Sequence, residues 1–199
     1  NNVLEEGENA SWGSSRFVIT GETSSIYKKN GKCRKVHNVL LLSGFEEADK
    51  IAGRLEKIGN IHSDGRPILG LDCHDLLEIL LENCADGMLV PAHIWTPHFG
   101  LFGAASGFDT MEECFEDLTS YIHAVETGLS SDPPMNWRLS ALDGLQLISN
   151  SDAHSPSSLE ERLTYWTLNC PIRDFMVLSN MEKVFLEHWN FSGRGKISL

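Results

Sequence analysis

Asp152 and His154 stand two residues apart in the polar stretch SNSDAHSPSS, directly after the apolar run GLQLI. If the backbone stays extended there, both side chains lie on the same side of the chain. A carboxylate and an imidazole so placed can hold one divalent ion. Taken alone, the spacing is more typical of an Asx turn that carries an incidental histidine. The pair therefore needs partners elsewhere in the chain.

Other potential ligands lie at the ends of predicted strands. His93 follows the buried run MLVPA, Glu22 ends a strand that begins with RFVIT, and His37 opens the strand VHNVLLL. Alone, His93 is typical of a hydrogen-bonded core histidine and Glu22 of a solvated carboxylate. Functional sites in α/β sheets and barrels lie at strand ends, so the set as a whole indicates a metal site. Its predicted ligands are Glu22, His37, His93, Asp152 and His154.

The mix of carboxylate and imidazole predicts the kind of ion and the chemistry. It suits Zn²⁺ or Mn²⁺, and the absence of thiolates from the set disfavours a purely structural zinc. Two or three such ions can activate a water and stabilise both oxygens of an in-line phosphate displacement. The expected chemistry is phosphate-ester hydrolysis.

The elements that must position these residues alternate between strand and helix. Apolar spacing predicts helices in FEEADKIAGRLEKIG, DCHDLLEILLENC (with Asp72 as a cap) and TMEECFEDLTSYI. Asn30-Gly31 predicts a hairpin turn. The alternation from about Val36 to Asp152 predicts an α/β domain with a mostly parallel sheet, open or barrel-like.

Composition limits the classes of function. The chain has 199 residues and a formal net charge of −12, which excludes a generally basic nucleic-acid coat but allows a local basic patch. Its five cysteines are scattered and form no Cys-x-x-Cys pair, which favours a reducing cytoplasm over a disulfide framework. We see no apolar run approaching the roughly 20 residues of a membrane span, and no signal peptide. The sequence thus predicts a cytoplasmic protein without membrane contact.

A basic arm, YKKNGKCRK, concentrates positive charge in this acidic chain. It is either a solvated hairpin or a contact for the DNA backbone. Tyr27 beside it could stack on a base, and Arg66 in SDGRPILG could clamp a phosphate. The loop WTPHFGLFG, with Trp95, His98 and Phe99, is either a wall for a flipped base or a hydrophobic lid. The basic residues of the arm are Lys28, Lys29, Lys32, Arg34 and Lys35.

Three motifs, VPAHIWTPHFGLFG, ETGLSSDPPMNWRLSALD and SNSDAHSP, resemble the endonuclease Q family of PHP-type metallo-phosphoesterases. The resemblance implies a DNA-repair endonuclease that cuts 5′ to deaminated bases (uracil, hypoxanthine) or at abasic sites. It implies a distorted (β/α)₇ barrel with two or three Zn²⁺ or Mn²⁺/Mg²⁺ ions, the ligands named above, and catalytic roles for His93, Asp152 and His154. It also implies a substrate pocket lined by Trp95, His98, Phe99, Glu126, Thr127 and Ser130.

The chain departs from this family at both ends. The His-x-His strand of PHP proteins is not present, so we expect the first strands of the barrel to be missing. Residues 1–15 are predicted as a polar loop, 16–159 as a partial PHP-like catalytic domain and 160–199 as an out-of-frame tail that packs poorly. In the shifted frame, Trp166-Thr167 must encode Asp, which fits the family sequence; the alternative is a divergent C-terminus.

Three functions follow from these patterns. The first is a metal-dependent endonuclease that acts on damaged DNA through a metal-activated water. The resemblance implies this activity for the family, and this stretch of chain could itself be inactive. The second is a PHP-type phosphatase for a small phosphorylated metabolite. The third is a non-catalytic DNA-binding remnant. A replication or repair partner is possible, but the sequence does not identify it.

Overall fold

The computed structural model describes residues 10–12, 15–62, 67–149 and 185–188 of the chain. Four α-helices lie within these ranges: α1 (Phe45–Leu55), α2 (Cys73–Asn83), α3 (Met111–Phe115) and α4 (Pro133–Asn136). Two 3₁₀ segments span Glu116–Tyr121 and Ser140–Leu142. The strands are β1 (Ala10–Trp12), β2 (Ser15–Lys29), β3 (Lys32–Leu42), β4 (Ile68–Leu69), β5 (Met88–Pro91), β6 (Ala124–Glu126), β7 (Gln146–Ile148) and β8 (Phe185–His188).

The strands form two sheets. The larger has the order β1-β2-β3-β5, with every neighbouring pair on that path antiparallel, while β4 and β8 pair with β2 in parallel. The smaller is the parallel pair β6-β7. Mixed α/β structure is confirmed, but the prediction of a mostly parallel sheet is wrong for the larger sheet. A two-residue turn joins β2 directly to β3, and so tight a connection permits only antiparallel pairing.

That turn lies at Asn30-Gly31, as predicted. Lys29 pairs with Lys32, and both turn residues have positive φ (53° for Asn30 and 75° for Gly31). Positive φ at both positions defines a type I′ turn, whose twist matches that of the flanking strands.

Gly31→Ala is expected to lower the free energy of unfolding by about 1 kcal/mol, because a Cβ disfavours left-handed backbone. Chemical denaturation measures the change. The control is Gly144→Ala, where φ is not in the left-handed range and nothing lies within 4 Å of an added Cβ. Equal stability of the two variants would contradict the turn assignment.

The helices pack on the larger sheet through the faces that the sequence pattern predicts. Helix α1 buries Ala48, Ile51 and Leu55, and α2 buries Leu76, Leu77 and Leu80. Leu40 and Leu89 of the sheet are fully buried in the same core. Asp72 caps α2 as predicted, since its side chain accepts a hydrogen bond from the His74 backbone N–H (3.0 Å). These contacts hold β2 and β3, the strands that carry part of the candidate site, against the helices.

The predicted tail mostly lies outside the described residues. Its described part, Phe185–His188, forms β8 and pairs with Phe17–Thr20 of β2. The three-part division of the chain and the out-of-frame tail stay predictions. Within the described ranges, no helix has the length and apolar character needed to cross a membrane.

Candidate functional site

Glu22 and His37 meet across the β2–β3 pair. The register places Glu22 opposite Val39 and His37 opposite Ser24, so the two side chains lie diagonally on one face. His37 is 2% exposed and Glu22 12%, and Nε2 of His37 lies 3.6 Å from Oε2 of Glu22. Both residues are inside long strands, so their predicted position at strand ends is wrong. The structure nevertheless brings them together.

The two facing atoms fit a site for a positive charge. Nε2 of a neutral imidazole and Oε2 of a carboxylate can both present lone pairs, which repel when they face each other. A separation of 3.6 Å exceeds the usual hydrogen-bond length. A proton on Nε2, or a cation shared by both atoms, is compatible with this spacing.

His93 joins this pair from the end of β5. The strand ends at Pro91, and His93 follows two residues later with a positive φ of 36°. Its ring stands edge-on to the ring of His37, with 5.1 Å between the centroids and 70° between the planes. The structure therefore brings together three of the five predicted ligands: Glu22, His37 and His93.

The Thr96 side chain supports one tautomer of the His93 ring. The Thr96 hydroxyl donates to the His93 carbonyl oxygen (2.8 Å), and it also lies 2.8 Å from Nδ1 of the same ring. The hydroxyl has one hydrogen, so when it donates to the carbonyl oxygen, Nδ1 carries the ring proton and donates to Oγ1. This leaves the lone pair on Nε2, the state in which an imidazole binds a metal. Sequence inspection missed Thr96; its spacing of three residues from His93 is the signal.

Glu126 holds the backbone on both sides of His93. It ends β6, as predicted, and is 5% exposed. Its Oε2 accepts from the His93 N–H (2.6 Å) and its Oε1 from the Gly128 N–H (2.8 Å). Gly128 has a φ of +64°, and a Cβ there would lie 2.8 Å from Cβ of His93. Glu126 thus positions His93, whereas the resemblance implied only a pocket wall.

The other predicted pocket residues are spread around this point. Thr127 is buried after β6 and Ser130 is exposed. Trp95 packs against the core and the Phe102 ring (centroids 5.3 Å apart), which agrees with the hydrophobic-lid interpretation for this residue. Phe99 is half-buried and its carbonyl accepts from the His37 N–H (2.8 Å), while His98 is exposed. The loop is therefore hydrogen-bonded to β3, the strand that carries His37.

Two residues of the basic arm are buried, which contradicts their predicted contacts with DNA. Arg34 is 6% exposed, its guanidinium lies 4.3 Å from the Phe108 ring centroid, and Nη1 donates to the Gly107 carbonyl. Tyr27 is 9% exposed, and its hydroxyl lies 3.8 Å from Sγ of Cys114. Burial raises the pKa of Tyr27 well above its usual value. Neither side chain is accessible to a base or a phosphate.

The four lysines of the arm divide into two kinds. Nζ of Lys29 lies 2.6 Å from Oε1 of Glu116 and 3.1 Å from Oδ2 of Asp72, so its charge is paired within the fold. Burial lowers the pKa of Lys29, but the hydrogen bonds to these two carboxylates outweigh that effect and raise it overall. Lys28 and Lys32 are exposed, and Lys35 is half-buried with Nζ 5.5 Å from the Phe99 ring centroid. These three remain available for phosphate contacts.

A second group of possible metal ligands stands beside Lys29. Among the described residues, only His74, Glu116 and Asp117 form a group of three whose ligand atoms all lie within 4.8 Å. Burial lowers the pKa of His74, but hydrogen bonds to Asp75 and Asp117 raise it overall, which favours the imidazolium. A metal requires the neutral ring. With Lys29 already on Glu116, we interpret this group as a surface charge network.

Three predicted site residues, Asp152, His154 and Arg66, lie outside the described residues. Their roles stay predictions. Glu22, His37 and His93 are therefore the part of the candidate metal centre whose geometry is described.

Comparison with known proteins finds similarity to a curated sequence and to solved structures. No protein-family model matches the chain. It is 44% identical over 69 residues to the uncharacterized protein YqxK of Bacillus subtilis (strain 168), a span of 35% of this chain and 17% of that protein. It is also similar to the crystal structure of the lesion-specific endonuclease PfuEndoQ from Pyrococcus furiosus. That match has 27% identity and a TM-score of 0.62, and it covers 78% of this chain and 35% of the other.

A second solved structure is endonuclease Q in complex with a 27-mer duplex substrate that has an abasic lesion at the active site. It matches with 27% identity and a TM-score of 0.59, over 78% of this chain and 36% of that one. The resemblance to endonuclease Q is confirmed. The chain spans about a third of the length of these two endonuclease Q chains. Their fold therefore extends well beyond the part that this chain matches.

Proposed function

We propose that the chain is the metal-binding part of a DNA-repair endonuclease that cuts 5′ to a deaminated base or at an abasic site. The observation that carries the proposal is the meeting of Glu22, His37 and His93, because one carboxylate and two imidazoles, the ligand types that divalent ions use, lie close together there. The similarity to a lesion-specific endonuclease, and to an endonuclease Q bound to abasic DNA, supports the DNA substrate. The distorted (β/α)₇ PHP barrel is part of the same proposal.

The donor set fits a divalent ion. Glu22, His37 and His93 would hold it, together with Asp152 and His154 if these lie as the motif predicts. Two imidazoles and carboxylates suit Zn²⁺ or Mn²⁺, with Mg²⁺ favoured only where oxygen ligands dominate. Such an ion, when bound, supplies an activated water and neutralises charge on the phosphate. The chain itself presents His93 through the Thr96 and Glu126 contacts. The ligand atoms of Glu22, His37 and His93 do not all lie within 4.8 Å of one another, so they would have to move closer together to share one ion.

The exposed lysines of the hairpin would hold the DNA backbone. Lys35 lies against Phe99, whose carbonyl bonds to His37, so the arm approaches the candidate site from β3. Lysine contacts to phosphate add affinity without reading the base. Lesion selectivity must therefore come from other residues.

The double variant Lys28→Ala/Lys32→Ala is expected to weaken binding of lesion-containing and intact duplexes by a similar factor. It should also reduce the salt dependence of binding by about one unit of slope per lost contact. Fluorescence anisotropy over a series of salt concentrations measures both quantities. Glu46→Ala/Lys50→Ala, which removes an exposed pair on α1, is the control. An unchanged salt slope would show that the arm is only a solvated hairpin.

The proposed function is tested by binding and by hydrolysis of a simple ester. The purified chain is mixed with a fluorescein-labelled duplex that contains one abasic site, and with its intact counterpart. We expect tighter binding of the abasic duplex and little hydrolysis of p-nitrophenyl phosphate. Rapid hydrolysis of the ester without DNA binding would favour the phosphatase instead. Lesion binding without metal uptake would favour the DNA-binding remnant.

A further inference from the structure

Large apolar side chains are exposed in the segment that follows β6. Leu129, Met135 and Trp137 are 54%, 41% and 68% exposed. A single exposed apolar residue is ordinary, but three in one short segment favour a contact surface. Trp137, at the carboxyl end of α4, presents the largest of these side chains and the most exposed.

This segment is joined to the candidate site at two points. Gly128 packs so closely on His93 that a Cβ would lie 2.8 Å from Cβ of the histidine. Asn136, next to Trp137, accepts a hydrogen bond from Nε1 of Trp95 (2.8 Å), and Trp95 follows His93 by two residues. The backbone on both sides of this segment is therefore in contact with the loop that carries His93.

The backbone under Trp137 is held firmly. Asn136 is fully buried and donates to Oγ of Ser131 (3.2 Å) and to the carbonyl of Asp132 (2.8 Å). Asp132 in turn caps α4 by accepting from the Met135 N–H (2.9 Å), and Pro133 occupies the first helical position. An aromatic ring on so fixed a backbone loses little conformational entropy when it makes a contact.

We propose that Trp137 stacks on the base next to the lesion and fills the gap where a base is absent or turned out of the duplex. The proposal rests on the proposed function, because the ring needs DNA at the His93 site. Each base offers a flat face for an aromatic ring, and apolar wedges enter duplexes at unstacked steps. Arg138 follows directly and is exposed, so its guanidinium can hold the phosphate beside that base. This adjacent positive charge favours DNA over an apolar protein partner.

The test compares Trp137→Ala and Trp137→Phe with the wild-type chain in anisotropy titrations of the abasic and intact duplexes. Loss of the stacked ring should weaken binding of the abasic duplex by about ten-fold or more, while binding of the intact duplex changes much less. Trp137→Phe should keep most of the preference, since it retains an aromatic face. The control is Tyr121→Ala, another exposed aromatic (49%), which lies beyond the amino end of β6 and should change neither affinity.

The outcomes separate this proposal from the proposed function. If the wild-type chain prefers the abasic duplex and Trp137→Ala prefers it equally, the stacking role is overturned and the endonuclease stands. If the wild-type chain binds the abasic and intact duplexes equally, both the stacking role and the proposed endonuclease function are overturned. A change from dimer to monomer in Trp137→Ala with unaltered DNA binding would assign the patch to a second copy and overturn the proposal. Circular dichroism shows whether Trp137→Ala is folded. If it is not, the same titrations are made with Trp137→Leu, which keeps apolar bulk without a ring, and its preference for the abasic duplex decides the stacking role.

Discussion

Replacing His93 with Gln is expected to reduce incision of a uracil-containing or abasic duplex by well over 100-fold. The Thr96 contacts support the tautomer of His93 whose Nε2 presents a lone pair. Loss of a residue that only supports a metal ligand costs about 10–100-fold, so loss of a ligand should cost more. Single-turnover cleavage of a labelled duplex measures the effect. DNA affinity should stay within a few-fold, because the exposed lysines are unchanged.

The control for this variant is His62→Gln. His62 is 59% exposed and its imidazole faces Glu56 at the surface, 3.0 Å away, so its loss should leave incision unchanged. Substantial incision by the His93→Gln variant would remove His93 from the metal site. The same loss in both variants would point to a general effect of histidine replacement on the fold.

Gly128→Ala is expected to destabilise the protein by about 2 kcal/mol or more and to reduce incision by at least about ten-fold. The φ of +64° disfavours a side chain, and the new Cβ would lie 2.8 Å from Cβ and 3.1 Å from Cα of His93. Real Cβ atoms do not approach so closely, so either residue 128 or His93 must move. Movement of His93 would break the 2.6 Å hydrogen bond from its N–H to Glu126.

Thermal unfolding followed by circular dichroism measures the first effect, and the incision assay measures the second. Gly70→Ala is the control, since nothing lies within 4 Å of an added Cβ and φ there is not in the left-handed range. A Gly128→Ala protein with wild-type stability and full incision would contradict the close packing of this glycine on the site.

Local sequence signals predicted the local structure. Asn30-Gly31 and the Asp72 cap act through neighbouring residues, and both are where the sequence placed them. Whether the strands of the larger sheet run parallel or antiparallel depends on pairing between distant segments. The alternation of strand and helix suggested parallel strands. The β2–β3 hairpin, which lies at the centre of the larger sheet, makes its strands antiparallel instead.

The positions of Glu22 and His37 show a second limit. The segment after Glu22 is polar and looked like the end of a strand, but Thr23, Ser24 and Ser25 are buried inside β2 (0%, 4% and 1% exposed). Buried hydroxyl groups are indistinguishable from loop residues in a hydropathy pattern. Even so, the chemistry of the residue types selected three side chains that do come together.

The basic arm shows a third limit. A run of charge gives no information on which side chains are already engaged. Arg34 is covered by Phe108, and Lys29 pairs with Asp72 and Glu116, all of them distant in sequence. The contact of Glu126 with His93 likewise becomes visible only once β6 lies beside the end of β5.

The central claim, a metal-dependent incision at a DNA lesion, is most directly tested by removing and restoring the ion. The purified chain is treated with a chelator, dialysed and given a duplex with one abasic site, first without metal and then with Mn²⁺. We expect a single cut 5′ to the lesion that is lost on chelation and returns with Mn²⁺. A folded chain that binds Mn²⁺ and the abasic duplex but leaves the strand intact would contradict the account.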